Sequence, residues 1–151
     1  MVALGTSEAR PQQLIEEFGK LIPDSTVEKY RSDALKLIHL AKCEDDKPCA
    51  PASQKDIDHP PISLQDGRAA LAFGIAAAWA ELCGLNSQRA FLPMIAYGKY
   101  KLKMRDRPLQ IMSLMYGSMK TRQLIIYKKN AGCPANVKEQ IDAQLPKSGF
   151  E

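Results

Sequence analysis

The sequence holds little of the equipment that most enzymes carry. It has two histidines in 151 residues. It has no G-x-x-x-x-G-K-[ST] loop, no G-x-G-x-x-G, no H-E-x-x-H, no G-x-S-x-G and no EF-hand loop. The motif-bearing forms of nucleotide, zinc-protease, serine-hydrolase and calcium sites are therefore not expected. No cysteine pair is spaced C-x-x-C, and no histidine stands near one at zinc-finger spacing, so a structural zinc site is not expected either. His39 falls among aliphatic residues of a helical stretch and reads as a packed or half-exposed side chain. His59 follows Asp56 and Asp58 in an Asp-x-Asp-His cluster, a short loop pattern that arises often by chance. No catalytic residues, no metal and no cofactor are expected.

Membrane-spanning length is also missing. Between Ala69 and Ala80 there is no polar side chain, but that run is 12 residues, against the roughly 20 that a span requires. A helix apolar on every side yet too short to cross a bilayer belongs in a core, surrounded by other helices. The opening Met1-Val2-Ala3-Leu4-Gly5 has neither a charged n-region nor a long apolar centre, so it is no signal peptide. The expectation is a chain whose leader has been removed.

Four cysteines, at 43, 49, 83 and 133, are present. Three pairings are possible. Cys43 and Cys49 bracket the short run EDDKP, which needs little chain travel to close, and this leaves Cys83 for Cys133. Two such disulfides would place the protein in the periplasm or outside the cell.

The remaining signals are helical. Leu14, Ile15, Phe18, Leu21 and Ile22 fall on one helical face that Pro23 ends. Ser25 with Glu28 has the capping-box spacing and would start a second helix running to about Lys42. Residues 43–62 hold four prolines and five acids and read as a long acidic loop. Ser63 with Asp66 would open the apolar helix, and Gly84 would close it just after Cys83. Glu81 in its last turn reads as a rim residue that reaches water or a basic neighbour. A further helix starting near Asn86 or Ser87 is expected to kink or restart at Pro93. Asp106 and Pro108 begin the last long helix, which Gly132 ends, and residues 134–145 form a short amphipathic finish. The fold class expected is all-α: one compact domain over 1–151, with five or six helices around a central apolar helix at about 64–83 and a Pro-rich acidic loop at 43–62.

Charge is unevenly distributed. Residues 1–85 carry 9 Lys/Arg against 13 Asp/Glu, a balance of −4, while residues 86–151 carry 12 against 4, a balance of +8. The basic excess is densest in KYKLKMRDR, where Lys99, Lys101, Lys103, Arg105 and Arg107 interleave with Tyr100 and follow Tyr97. The strict alternation has a strand period, yet the helical flanks favour a helix. On a helix, 99, 103 and 107 form one ridge and 101 and 105 another. Charge mixed with aromatic rings suits nucleic acid, but a net charge of +4 and the expected disulfides argue against that partner. An acidic protein surface or anionic lipid headgroups fit the segment as well. Met112, Met115 and Met119 recur at helical spacing and read first as core.

The chain thus resembles small exported helical proteins as a class. The function expected is a non-enzymatic binding, inhibitory or adaptor protein acting through a protein–protein surface, with an acidic protein as partner. The alternative is a helical carrier of an apolar ligand or lipid, with Met and aromatic residues lining an internal cavity. An enzyme or metal protein using Glu81, His59, Asp56 and Asp58 is the least supported reading.

Overall fold

A computed structural model describes residues 11–130 and 132–147. It is all-helical. In chain order the elements are α1 (Pro11–Gly19), α2 (Asp24–Leu37), α3 (Gln54–Asp58), α4 (Leu64–Leu82), α5 (Gln88–Ala96), α6 (Asp106–Asn130) and α7 (Ala135–Gln144). Two 3-10 turns, Ile38–Leu40 and Glu44–Asp46, and one π-turn, Tyr97–Lys101, join them. Among the described residues the nearest thing to a sheet is one isolated bridge between Lys42 and Pro48.

Among the described residues there are seven α-helices, where the sequence suggested five or six. The extra one is α3, inside the stretch expected to be loop throughout. Ser53 accepts the Asp56 N–H while the Asp56 carboxylate accepts the Ser53 N–H, a complete capping box. Two other expectations need correction. Ser25 does not cap α2: the extended backbone at Pro23 already starts the helix at Asp24, and the Pro23 carbonyl takes the N–H groups of Thr26 and Val27. Helix α1 stops at Gly19, so Leu21 leaves the buried face and stands 75% exposed.

Helix α4 begins where Ser63 accepts the Asp66 N–H. It ends with Gly84 at φ +77°, with Leu85 N–H bonded to the Ala80 carbonyl and Gly84 N–H to Glu81. Those two bonds form a Schellman stop, which satisfies carbonyls that the helix end would otherwise leave open. Twelve of its nineteen residues are buried, and it packs against α1, α2, α5, α6 and α7. The closest approach is to α6. A Cβ on Gly74 would lie 2.7 Å from the Tyr116 carbonyl oxygen, and one on Gly67 would lie 2.9 Å from Met115 Cε. One helical face of α4 is thus kept free of side chain where α6 crosses it. Met112, Met115 and Met119 fill this region and are all buried.

Both disulfides form as the spacings predicted. Cys43–Cys49 closes the 3-10 turn with Cα atoms 4.9 Å apart, and Cys83–Cys133 ties the end of α4 to the α6–α7 connection with Cα atoms 5.2 Å apart. In the chain-entropy account these loops contribute about 2.4 and 4 kcal/mol respectively. Helix α7 is further held by Arg89, whose guanidinium is almost fully buried. It donates to the carbonyls of Asp142, Leu145 and Pro146 and pairs with the Asp142 carboxylate at 2.7 Å. That cation meets carbonyls at the α7 C-terminus, where positive charge is favoured. The Arg89 hydrogen bond, and after it the one from Lys147, holds the Asp142 carboxyl below its ordinary value.

Candidate functional site

The basic segment owes its shape to Gly98. Pro93 has no N–H to donate, and a kink or a restart was expected there. The helix does not restart: α5 runs through Pro93 to Ala96 and then widens. Leu102 N–H bonds to the Tyr97 carbonyl at 3.0 Å, a five-residue step, and Met104 N–H bonds to Gly98 at 2.9 Å. Lys103 then turns the chain with φ +57°. The segment is neither the continuous helix preferred from its flanks nor a strand, so the two ridges expected on a helix do not form. Gly98 allows the wide turn to sit directly on α6: a Cβ there would lie 2.7 Å from Leu109 Cδ1 and 3.2 Å from Met112 Sδ. Turns of this kind are rare and concentrate at functional positions.

The turn sorts its side chains by chemistry. Tyr97, Leu102 and Met104 are half-buried and pack on the core. Lys99, Tyr100, Lys101, Lys103 and Arg105 are exposed, Tyr100 by 73%. Burial, and then the Asp66 carboxylate, push the Tyr97 phenol above its ordinary value. The Lys101 ammonium lies 5.6 Å from the centre of the Tyr97 ring, within cation–π range. Among the described residues, the ion pairs to acidic side chains involve Lys29, Arg68, Arg89, Arg107, Lys120 and Lys147. Lys99, Lys101, Lys103 and Arg105 make none.

Arg107 differs from its neighbours. Its guanidinium turns to the segment leading into α3, donating to the Ala50 carbonyl at 2.6 Å, to the Pro51 carbonyl at 3.3 Å and to Asp56 Oδ2 at 2.6 Å. The structure sets Lys101 over Tyr97, leaves Lys99, Tyr100, Lys103 and Arg105 exposed on the same turn and the residues after it, and directs Arg107 into the scaffold.

Beside the turn lies a groove of about 1180 Å3, open to solvent. Its floor is α4, through Ala69 and Phe73. Ile15 and Ile22 come from the α1 side, and Tyr97 and Tyr100 from the turn. Arg68 crosses the α1 end, where it bonds to the Ile22 carbonyl and the Asp24 carboxylate. A smaller groove of about 500 Å3 lies between α1, α4, α6 and α7 and includes Phe18, Trp79, Met119 and Tyr127. Trp79 and Tyr127 stack there at 4.0 Å.

The other residues singled out from sequence lie elsewhere. Glu81 pairs with Lys120 at 3.1 Å. His39 is exposed on a 3-10 turn, and His59 is exposed just after α3. Asp58 accepts from Gln54, and Asp56 is engaged by Ser53 and Arg107. Among the described residues no three His, Cys, Asp or Glu side chains are gathered as a metal site would require. Among those residues, too, no helix is long and apolar enough to cross a membrane. Sequence reasoning missed the groove, Arg89 and the π-turn. Only the last left a local trace, in Gly98.

Fold and surface define a class: a disulfide-bonded all-α protein that presents a basic turn beside an open groove. Compared with protein-family models, with curated proteins and with solved structures, the chain matches none of them.

Proposed function

We propose that this protein is a small exported binding, inhibitory or adaptor protein without catalytic activity. It acts through a protein–protein surface made by Lys99, Lys101, Lys103 and Arg105 with Tyr97 and Tyr100, and its partner presents an acidic surface. The observation that carries this reading is the state of those four cations. They are exposed and without acidic partners among the described residues, within seven consecutive positions that contain no acid. Such a patch speeds encounter with an oppositely charged surface and selects against like-charged ones. An exposed tyrosine at its centre supplies the contact area typical of interface anchors. In this reading the apolar helix at 64–83 is the central support, and the Pro-rich acidic loop at 43–62 is a second contact surface. Two disulfides support a periplasmic or secreted location. Nucleic acid is the weaker partner, because net charge is only +4.

The groove favours a second reading, a carrier of an apolar ligand or anionic lipid. Its lining does not include Met112, Met115 or Met119.

Affinity capture from the exported fraction of the source cells tests the first reading. Wild type and the Lys101→Glu/Arg105→Glu variant are run side by side. An acidic protein held by wild type at low salt, released at high salt and lost with the variant supports it. An identical retained set for both proteins overturns it.

A further inference from the structure

The basic turn and the groove share one wall, and that arrangement says more about the partner. Helix α4 is covered by α2, α5, α6 and α7 and, on one side, by α1. The groove is the sector between α1 and the turn that follows α5. Five α4 residues line it, Asp66 and Arg68 together with Gln65, Ala69 and Phe73, which stand at helical spacing. They span about 12 Å of helix axis, or two turns. The apolar part of that floor is the one turn from Ala69 to Phe73, flanked by Ile15 on one wall and Tyr97 on the other, and such a channel between two walls takes the apolar face of another helix.

The walls differ in charge. The α1 wall carries Glu16 and Lys20, one of each sign. Arg68 is already bonded to Asp24 and to the Ile22 carbonyl. The opposite wall carries Lys101, with Lys99, Lys103 and Arg105 beyond it and no acid until Asp106. Asp66 on α4, beside Tyr97, balances Lys101 within the groove, so an occupant meets net positive charge only along the rim at Lys99, Lys103 and Arg105, where Tyr100 stands.

We propose that the groove binds an amphipathic helix of a protein partner. Its apolar face lies on Ala69 and Phe73, and its acidic edge runs along Lys99 to Arg105. This rests on the binding function above and adds the shape and charge pattern of what is bound. A flat anionic bilayer reaches the same lysines without entering the groove. A second copy of this chain would have to offer a helix with an acidic edge beside a free apolar face.

The test uses the full chain and a fluorescent synthetic helix of about 18 residues, with leucines on one face and glutamates along one edge. Controls are a scrambled peptide, a lysine-edged peptide and phosphatidylglycerol vesicles. Ala96→Trp fills the groove from an exposed wall position without altering charge. Gly19→Met fills it from the other wall, where a Cβ would meet only Arg68 side-chain carbons at 3.5 Å. Lys99→Glu/Lys101→Glu reverses the charged edge. Anisotropy titrations should show the glutamate-edged helix binding at least about tenfold tighter than either control peptide, with each plug and the charge reversal weakening it by about tenfold or more.

Loss on charge reversal with full binding by both plugged proteins overturns the groove inference and leaves the basic surface standing. Unchanged binding by all three variants overturns both. Vesicle binding that the plugs abolish, with no peptide binding, makes the occupant a lipid and overturns the inference. A wild-type dimer in light scattering that the plugs dissociate makes the occupant a second copy and overturns it equally.

Discussion

Two segments of this chain carry dense charge of opposite sign, and the fold treats them differently. The acidic stretch from Cys43 to Ile62 is tied at several points. A disulfide closes its start, a capping box builds α3 in its middle, and Arg107 fastens Ala50, Pro51 and Asp56 to the start of α6. Arg31 also donates to the Ile62 carbonyl at its end. The basic stretch from Lys99 to Arg105 is held by its backbone and by half-buried Leu102 and Met104, while its four cations point to solvent. Charge engaged in the scaffold contributes to stability. Charge held in place but without an ion pair among the described residues is available to a partner; Glu44, Asp45 and Asp46 are of that kind on the acidic side, as Lys99 to Arg105 are on the basic side. One arginine marks the boundary, because Arg107 lies two residues from Arg105 in sequence and belongs to the other group.

Breaking that boundary should give the largest effect. Arg107→Ala removes three hydrogen bonds and leaves Asp56, 15% exposed, without its cation. The expected loss is about 3 kcal/mol, a fall of roughly 6–12 °C in Tm for a chain of this size. Calorimetry checks it, and a Tm within about 2 °C of wild type would show that the loop is held by other contacts. Cys43→Ser/Cys49→Ser should cost somewhat less, about 2.4 kcal/mol, measured by urea unfolding. If that variant also loses peptide or partner binding while Lys99 to Arg105 are intact, the acidic loop belongs to the binding surface.

Acid sharpens the same contrast. The Ser53 N–H, and after it Arg107, hold the Asp56 carboxyl below its ordinary value of 3.8. A carboxylate more acidic in the folded than in the unfolded chain stabilises the fold fully above 3.8, and that contribution is lost as pH falls from there through the lower folded value. Lys99 to Arg105 stay charged throughout that range. Amide exchange below about pH 4 should therefore rise first in 50–58, with the backbone of 97–104 still protected. Equal loss in both would mean that the loop and the turn open as one unit.

Much of this frame was legible because its signals are local. Ser63, Gly84 and Gly132 act on the residues beside them, and each does what its neighbourhood suggested; the two glycines have φ of +77° and +72°. The cysteine pairing followed from how little chain Cys43 and Cys49 need to close. The Ser53-x-x-Asp56 box was as local as the Ser63 one, but its five-residue helix was hidden by the surrounding prolines. Other features depend on partners far along the chain. Arg89 looks like any surface arginine in sequence, since its acceptors lie 53–57 residues away. The groove is a space between α1 and a turn some eighty residues later, and no residue pattern announces a space. The π-turn defeated both period-two and period-3.6 reasoning, because its backbone has neither period. Its geometry is set by Gly98 fitting against Leu109 and Met112.

The smallest expected effect is the one on which the comparison depends. Lys99→Ala, Lys101→Ala, Lys103→Ala and Arg105→Ala should each change stability by less than about 0.5 kcal/mol, because exposed charges without ion pairs contribute little to folding. Lys103 is the position to watch: its φ of +57° is a left-handed conformation that alanine adopts no more readily than lysine, so the exchange leaves the backbone term unchanged. The same four substitutions together should lower affinity for the glutamate-edged helix by more than about tenfold and flatten its salt dependence. Stability by chemical denaturation and affinity by anisotropy, measured on the same preparations, place each residue on one side of the boundary. A cation whose removal destabilises the fold as much as Arg107→Ala belongs with the scaffold, and the surface open to a partner shrinks by that residue.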